Sequence, residues 1–216
     1  MEGREPDHCC FDDWVDDWVK QARKKGVARR LTSNLLEALD DAGLDDRTML
    51  DLGCGIGDLS LGALERGATS ARGYDLSPKA ISAARSLADE RGFADRTTFD
   101  VGDASTSELP GADVVALHRV FCCYPDVRGL LERSLAAAGS VYAYTVPSSS
   151  GVIGRYERIR ASIANAWYRL RPRTYGGFQV YIHDVGAIDE RIRAEGFRLA
   201  RRERRRVVWQ LAVYTR

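Results

Sequence analysis

Met49-Leu50-Asp51-Leu52-Gly53-Cys54-Gly55-Ile56-Gly57-Asp58-Leu59-Ser60 decides the fold of this 216-residue chain. A short apolar run reads as a strand. An acidic residue and three glycines at alternate positions then lead into a helix. Glycine lacks Cβ, so it permits the backbone angles of a tight strand-to-helix turn and lets a ligand come close to the main chain. The alternation Gly-x-Gly-x-Gly differs from Gly-x-Gly-x-x-Gly, the spacing that seats a pyrophosphate on the following helix.

Working outward, strand and helix signals alternate as a doubly wound sheet requires. Upstream, Phe11 to Leu39 reads as helix, broken near Gly26, with Phe11, Trp14, Trp18, Leu31, Leu35, Leu36 and Leu39 at helical intervals and Ala42-Gly43 as the stop. The first strand is Thr48 to Asp51 and its helix Ser60 to Arg66. Ser70 to Asp75 is the second strand; Ser77-Pro78 starts a helix that runs to about Arg91 and ends at Gly92. Thr97 to Val101 and Ala112 to His118 are the third and fourth strands, Pro125 to Leu135 a helix, and Ser140 to Thr145 the fifth strand. Gly151 to Leu170 is an extra helix, with Ile153, Tyr156, Ile159, Ile163 and Trp167 expected on one inward face. Asp184 to Ala194 is helical, and Phe197 to Glu203 with Val207 to Tyr214 closes the chain as a hairpin. The expectation is an α/β fold, with a Rossmann-like, mostly parallel seven-stranded sheet, helices on both faces and an antiparallel C-terminal hairpin. It forms one domain over 1–216, with a helical cap at 1–43 and a lid insert at 148–179.

Hydrophobic residues make up 44% and charged residues 29%, ordinary for a globular protein, and a net charge of +1 gives no general argument for nucleic acid. No apolar run approaches a membrane span, and the charged start Met1 to Asp7 has no signal-peptide core, so cytoplasmic residence is expected. Five cysteines argue against a full disulfide framework, and the adjacent pairs Cys9-Cys10 and Cys122-Cys123 lack C-x-x-C zinc spacing. No metal site is expected.

Two further acidic residues sit beyond strand ends, where open α/β sheets bind ligands. Asp75 ends the second strand, 24 positions after Asp51, and Asp103 follows the third in Val101-Gly102-Asp103-Ala104. Each has a plain alternative, a helix cap for Asp75 and a turn residue for Asp103. Asp51 with Gly53, Gly55 and Gly57, then Asp75, then Asp103, resembles class I S-adenosylmethionine (SAM)-dependent methyltransferases over roughly Thr48 to Thr145. The resemblance implies SAM as cofactor, the glycine turn wrapping its methionine half, Asp75 accepting both ribose hydroxyls, and Asp103 and the Ala104 amide facing adenine. The implied cofactor-binding set is Asp51, Gly53, Cys54, Gly55, Gly57, Asp75, Leu76, Asp103, Ala104 and His118. Cys54 also reads as a small filler inside the turn. A nicotinamide cofactor would need the dehydrogenase glycine spacing, which is absent.

The fourth strand runs out in Leu117-His118-Arg119-Val120-Phe121-Cys122-Cys123-Tyr124-Pro125-Asp126, at the position that faces the methyl group in that family. It is not the (Asp/Asn/Ser)-Pro-Pro-(Tyr/Phe) motif of enzymes that methylate exocyclic base amines, which favours small acceptors. A hydroxyl acceptor must lose a proton, and histidine suits that task. His118 is the first candidate for base or positioning group, His183 a second, and His8 incidental. The order of features is similar to that of magnesium-protoporphyrin and ubiquinone-biosynthesis O-methyltransferases, with Val180-Tyr181-Ile182-His183-Asp184 resembling the porphyrin enzymes. Uncharacterised actinobacterial methyltransferases with a paired-cysteine N-terminus and a His-Arg-Val-x-Cys-Cys-Tyr-Pro-Asp segment are also similar.

The expectation is therefore methyl transfer from SAM to a small molecule, at oxygen, by a monomer or homodimer. The alternatives are a thiol or metalloid acceptor served by the paired cysteines, an RNA methyltransferase using Arg201-Arg202-Glu203-Arg204-Arg205-Arg206, or a non-catalytic SAM-binding regulator. That arginine run otherwise reads as a solvated sheet edge, and the cysteines as packing residues. Phe11, Trp14 and Trp18 shield the ligand or pack on the sheet; Tyr156, Trp167, Tyr168, Tyr175 and Phe178, with arginines including Arg173, suit a lid for a flat, carboxylate-bearing acceptor.

Overall fold

The computed structural model describes residues 11–25, 30–171, 178–205 and 208–216. His8, Cys9, Cys10, Gly26, Arg173, Tyr175 and Arg206 lie outside them.

The strands are β1 (Thr48–Leu52), β2 (Ser70–Asp75), β3 (Thr97–Val101), β4 (Ala112–His118), β5 (Ala138–Pro147), β6 (Arg198–Arg205) and β7 (Trp209–Thr215), in the sheet order β3-β2-β1-β4-β5-β7-β6. Pairings from β3 through β5 are parallel, and β7 runs antiparallel to both its neighbours. The helices are α1 (Asp12–Lys25), α2 (Arg30–Asp41), α3 (Asp58–Leu64), α4 (Pro78–Glu90), α5 (Arg128–Ala137), α6 (Gly151–Arg169) and α7 (Val185–Ala194).

Period-two alternation divides the core. Met49, Val114, Val141, Ala143, Leu211 and Val213 face the side covered by α2, α3 and α4, while Leu50, Val115, Tyr142, Tyr144, Ala212 and Tyr214 face α5 and α7. Two helix starts follow local chemistry. The Ser77 hydroxyl accepts from the Ala80 amide at 2.9 Å with Pro78 at the first position, so α4 begins where the sequence predicts. Asp126 accepts the Arg128 amide at 2.9 Å, and this turn delays α5 to Arg128, three residues past the expected Pro125.

The predicted inward apolar face of α6 is overturned. Gly154, Glu157 and Ala161 face the protein, while Tyr156, Ile159, Ile163 and Trp167 are exposed and Ile153 is half-buried. The cause is steric: a Cβ at Gly154 would lie 2.1 Å from the Ser149 carbonyl carbon, so α6 rides too close on the 148–150 turn for bulky side chains. Glu157, fully buried, is neutralised by Arg160 at 2.6 Å.

The arginine run is corrected in part. Arg201 pairs with Glu203 at 2.5 Å and with Asp41, and Arg202 reaches Asp189 at 2.5 Å and the Tyr214 hydroxyl at 2.9 Å. Asp189 also accepts from the Tyr144 and Tyr214 hydroxyls. Among the described residues no helix is long and apolar enough to cross a membrane.

The Asp189 cluster fastens α7 to β5, β6 and β7. Asp189→Ala strips the anion from a partly buried cation and two buried hydroxyls, so a loss of about 3 kcal/mol is expected. Urea unfolding checks it; a midpoint within error of the parent's would show that the cluster carries no net stability.

Candidate active site

The sheet order reverses between β1 and β4, and their carboxyl ends open a crevice there. A cavity of about 560 Å³ fills it, in the range of small-ligand sites. One wall is the glycine turn. The Gly53 and Cys54 amides both donate to the Tyr74 carbonyl, at 2.7 and 3.0 Å, which ties the turn to the end of β2. Gly53 has φ +71°, and a Cβ there would strike Val120 at 2.4 Å. Gly55 has φ +55°, and its Cβ would meet open space; only glycine leaves main chain bare to the cavity there.

Asp75 stands beside it. One carboxylate oxygen accepts from the Gly55 amide at 2.8 Å and the other from the Ser77 amide at 2.9 Å, leaving lone pairs on both. Burial raises its pKa, the two amides pull it back, and nearby Asp12 raises it again. Leu76 stays 43% exposed on the same wall, an apolar platform next to a carboxylate.

Of the residues singled out from sequence, Gly53, Cys54, Gly55, Asp75, Leu76, Ala104 and His118 line this cavity. Asp51, Gly57 and Asp103 are not among the residues that line it. Asp51 is 1% exposed and accepts from the Ser60 hydroxyl at 2.8 Å, with its second oxygen unpartnered among the described residues. Burial, opposed by Ser60 and reinforced by Asp75, raises its pKa to about 7. Gly57, at φ +80°, caps α3. Asp103 accepts from the Ser105 amide and hydroxyl at 2.8 and 2.7 Å and from the Tyr124 hydroxyl at 2.9 Å. Burial opposes its ionisation, but these bonds outweigh burial and hold its pKa below the usual range.

His118 sits between two hydroxyls, Nδ1 2.9 Å from Thr145 Oγ1 and Nε2 3.3 Å from Thr32 Oγ1. His183 is not on the cavity wall; its Nε2 bonds the Tyr124 carbonyl at 2.9 Å. With the Tyr181 amide on the Cys122 carbonyl at 2.8 Å, it pins the segment after α6 to the loop after β4. Cys122 and Cys123 both line the cavity, and both thiols reach the Arg119 carbonyl, at 3.5 and 3.6 Å. Contact from Cys123 lowers the Cys122 pKa, whereas burial and then Asp51 and Asp75 raise that of Cys54. Cys54 packs on Gly73, where a Cβ would come within 2.7 Å of the sulfur.

The opposite wall brings residues whose roles the sequence did not signal. Arg119 adopts φ +67°, strained for a non-glycine residue, and holds its guanidinium 5.4 Å from the Trp209 ring centroid. Tyr124 joins it on the wall, as does Arg160 of α6. Phe178 meets Phe11 at 5.2 Å and Trp14 at 5.8 Å, an aromatic cluster that joins the start of α1 to the segment beyond α6. Among the described residues, no group of three or more His, Cys, Asp or Glu is placed to hold a metal.

This fold is that of class I SAM-dependent methyltransferases, and residues 50–139 match the methyltransferase domain family. Magnesium protoporphyrin IX methyltransferase from Synechocystis PCC 6803, solved with bound SAH, is 18% identical and superposes with a TM-score of 0.69 over 95% of each chain. An O-methyltransferase family 2 protein from Planctomyces limnophilus, in complex with apigenin, gives 0.66 at 15% identity over 94% of this chain and 62% of its own. Ribosomal protein L11 methyltransferase of Haemophilus influenzae (strain PittEE) is 44% identical over 85 residues, 39% of this chain and 29% of that one. The Pasteurella multocida protein of the same name is 42% identical over 105 residues, 47% of this chain and 36% of that one. The chain thus spans about a third of the length of these curated relatives.

The Asp51 environment makes a pH prediction. A carboxyl raised in the folded state favours folding fully below its unfolded pKa, near 4, and that contribution is lost as pH rises through about 7. Asp51→Asn should remove this dependence and raise apo-protein stability above pH 7, by on the order of 4 kcal/mol at most. Thermal melts from pH 4 to 8 check it; parallel pH curves for the two proteins would show that Asp51 keeps an ordinary pKa.

Proposed function

We propose that this chain is a SAM-dependent methyltransferase acting on a small molecule, at oxygen. One observation supports it above the others. A single cavity joins the bare main chain at Gly55, the Asp75 carboxylate and the Leu76 platform to a wall bearing His118, Arg119 and Trp209. The first wall fits the cofactor: Asp75 has spare lone pairs for a ribose diol, Leu76 offers an apolar face for adenine, and Gly55 gives close approach to the methionine half. When bound, SAM supplies an electrophilic methyl on a sulfonium, so the protein's work is alignment and exclusion of water.

Each side chain then has a role. Phe11, Trp14 and Phe178 roof the cavity against water. Arg119, braced over Trp209 and with no carboxylate partner among the described residues, suits an acidic group on the acceptor, and Trp209 suits a flat ring. Thr145 at 2.9 Å holds one nitrogen of His118; the longer 3.3 Å contact to Thr32 is the one an acceptor hydroxyl would replace, giving its proton to Nε2. His183 positions the segment after α6. The L11 methyltransferase relatives keep a protein acceptor as the second reading, but they are matched over a minority of either chain, and the aromatic roof favours an acceptor that can be enclosed.

The test is transfer of label from methyl-labelled SAM to a panel of hydroxylated aromatic carboxylates, with total RNA and ribosomal protein as competing acceptors. Label on small acceptors supports the proposal; label only on protein or RNA overturns it. His118→Ala should lower kcat on the hydroxyl acceptors by about 10²-fold or more with SAM affinity kept within a few-fold. An unchanged kcat would remove the base role. Arg119→Met should raise KM for carboxylated acceptors but not for their amides.

A further inference from the structure

Val152, Tyr156, Ile159, Ile163, Trp167 and Leu170 recur along α6 at intervals of four, three, four, four and three, one continuous face of a helix. They are 74%, 58%, 56%, 67%, 40% and 81% exposed. The helix therefore spends its small and acidic side on the protein and its apolar side on the outside. Such a ridge, about 27 Å long by the helical rise, is costly to leave in water and marks a contact surface.

Charge selects the occupant. Arg155 and Arg169 flank the ridge on one side, and Arg171 lies over the Trp167 ring at 4.2 Å; Arg160, on the other side, is paired with Glu157. The helix has one carboxylate, Glu157, which is fully buried on the opposite face. Two copies of the chain meeting ridge to ridge would bring like-charged arginines together with no exposed carboxylate on either helix to offset them. A convex apolar strip with interfacial Trp and Tyr and basic flanks has the make-up of a helix lying in a lipid headgroup layer. We propose that α6 docks this protein on an anionic membrane surface, with the ridge in the acyl boundary and the arginines on the lipid phosphates. The ridge adjoins the cavity through Arg160, so docking would put the acceptor wall beside the bilayer.

Co-sedimentation of the full chain with phosphatidylcholine vesicles, with and without phosphatidylglycerol, tests this. Binding is expected to the anionic vesicles, to weaken with salt, and to fall at least tenfold in Ile163→Glu. Because Ile163 is 67% exposed and off the cavity wall, that variant should keep its far-ultraviolet circular dichroism. Arg155→Glu with Arg169→Glu should abolish the preference for phosphatidylglycerol. Failure to bind either vesicle overturns the proposal, as does binding indifferent to Ile163→Glu. A dimer in sedimentation analysis, dispersed by Ile163→Glu without any vesicle binding, would overturn it in favour of a second copy.

Discussion

One oxygen of Asp75 accepts the Gly55 amide and the other the Ser77 amide, so a single carboxylate sets the distance between the glycine turn and the start of α4. The Tyr74 carbonyl, one residue earlier, takes the Gly53 and Cys54 amides. Together these bonds convert the end of β2 into a clamp on the turn after β1. Gly53 is pressed against Val120, which in turn fixes where the loop after β4 can run. The cavity exists because these three strand ends are held in register, and the sheet order places them at its point of reversal.

Around that clamp, acidic groups are graded by environment. Asp51 is buried, with one oxygen unpartnered among the described residues, and burial pushes its pKa up to about 7; Ser105 and Tyr124 hold that of Asp103 below the usual range; burial raises that of Asp75 while the Ser77 and Gly55 amides pull it back. Desolvation pushes each carboxyl up, and donors decide how far each returns. Asp75, alone of the three, faces the cavity. Asp51, through Ser60, and Asp103, through Ser105, brace the turn after β1 and the loop after β3.

Much of this was legible in the sequence because it is local. Alternating glycines after an apolar run, Ser77-Pro78 at a helix start and period-two strands need only near neighbours, and the element order follows from them. Contacts between distant residues were not legible. Tyr124 matters through Asp103, twenty-one positions earlier, and Arg119 through Trp209 and a left-handed backbone. His183 reads as a second candidate for base or positioning group, yet its ring bonds a carbonyl 59 residues away. The orientation of α6 failed for a related reason: periodicity identifies an apolar face but not whether the protein can receive it, and Gly154 against Ser149 decides that here.

The Asp75 clamp frames the pocket proposed for SAM. Calorimetric titration of the full chain with SAH, alongside Asp75→Ala, tests that proposal most directly. Micromolar, one-to-one binding in the parent and its loss in the variant, with both proteins folded by circular dichroism, is the predicted result. A folded parent that does not bind SAH, or a variant that binds it equally well, would contradict the account.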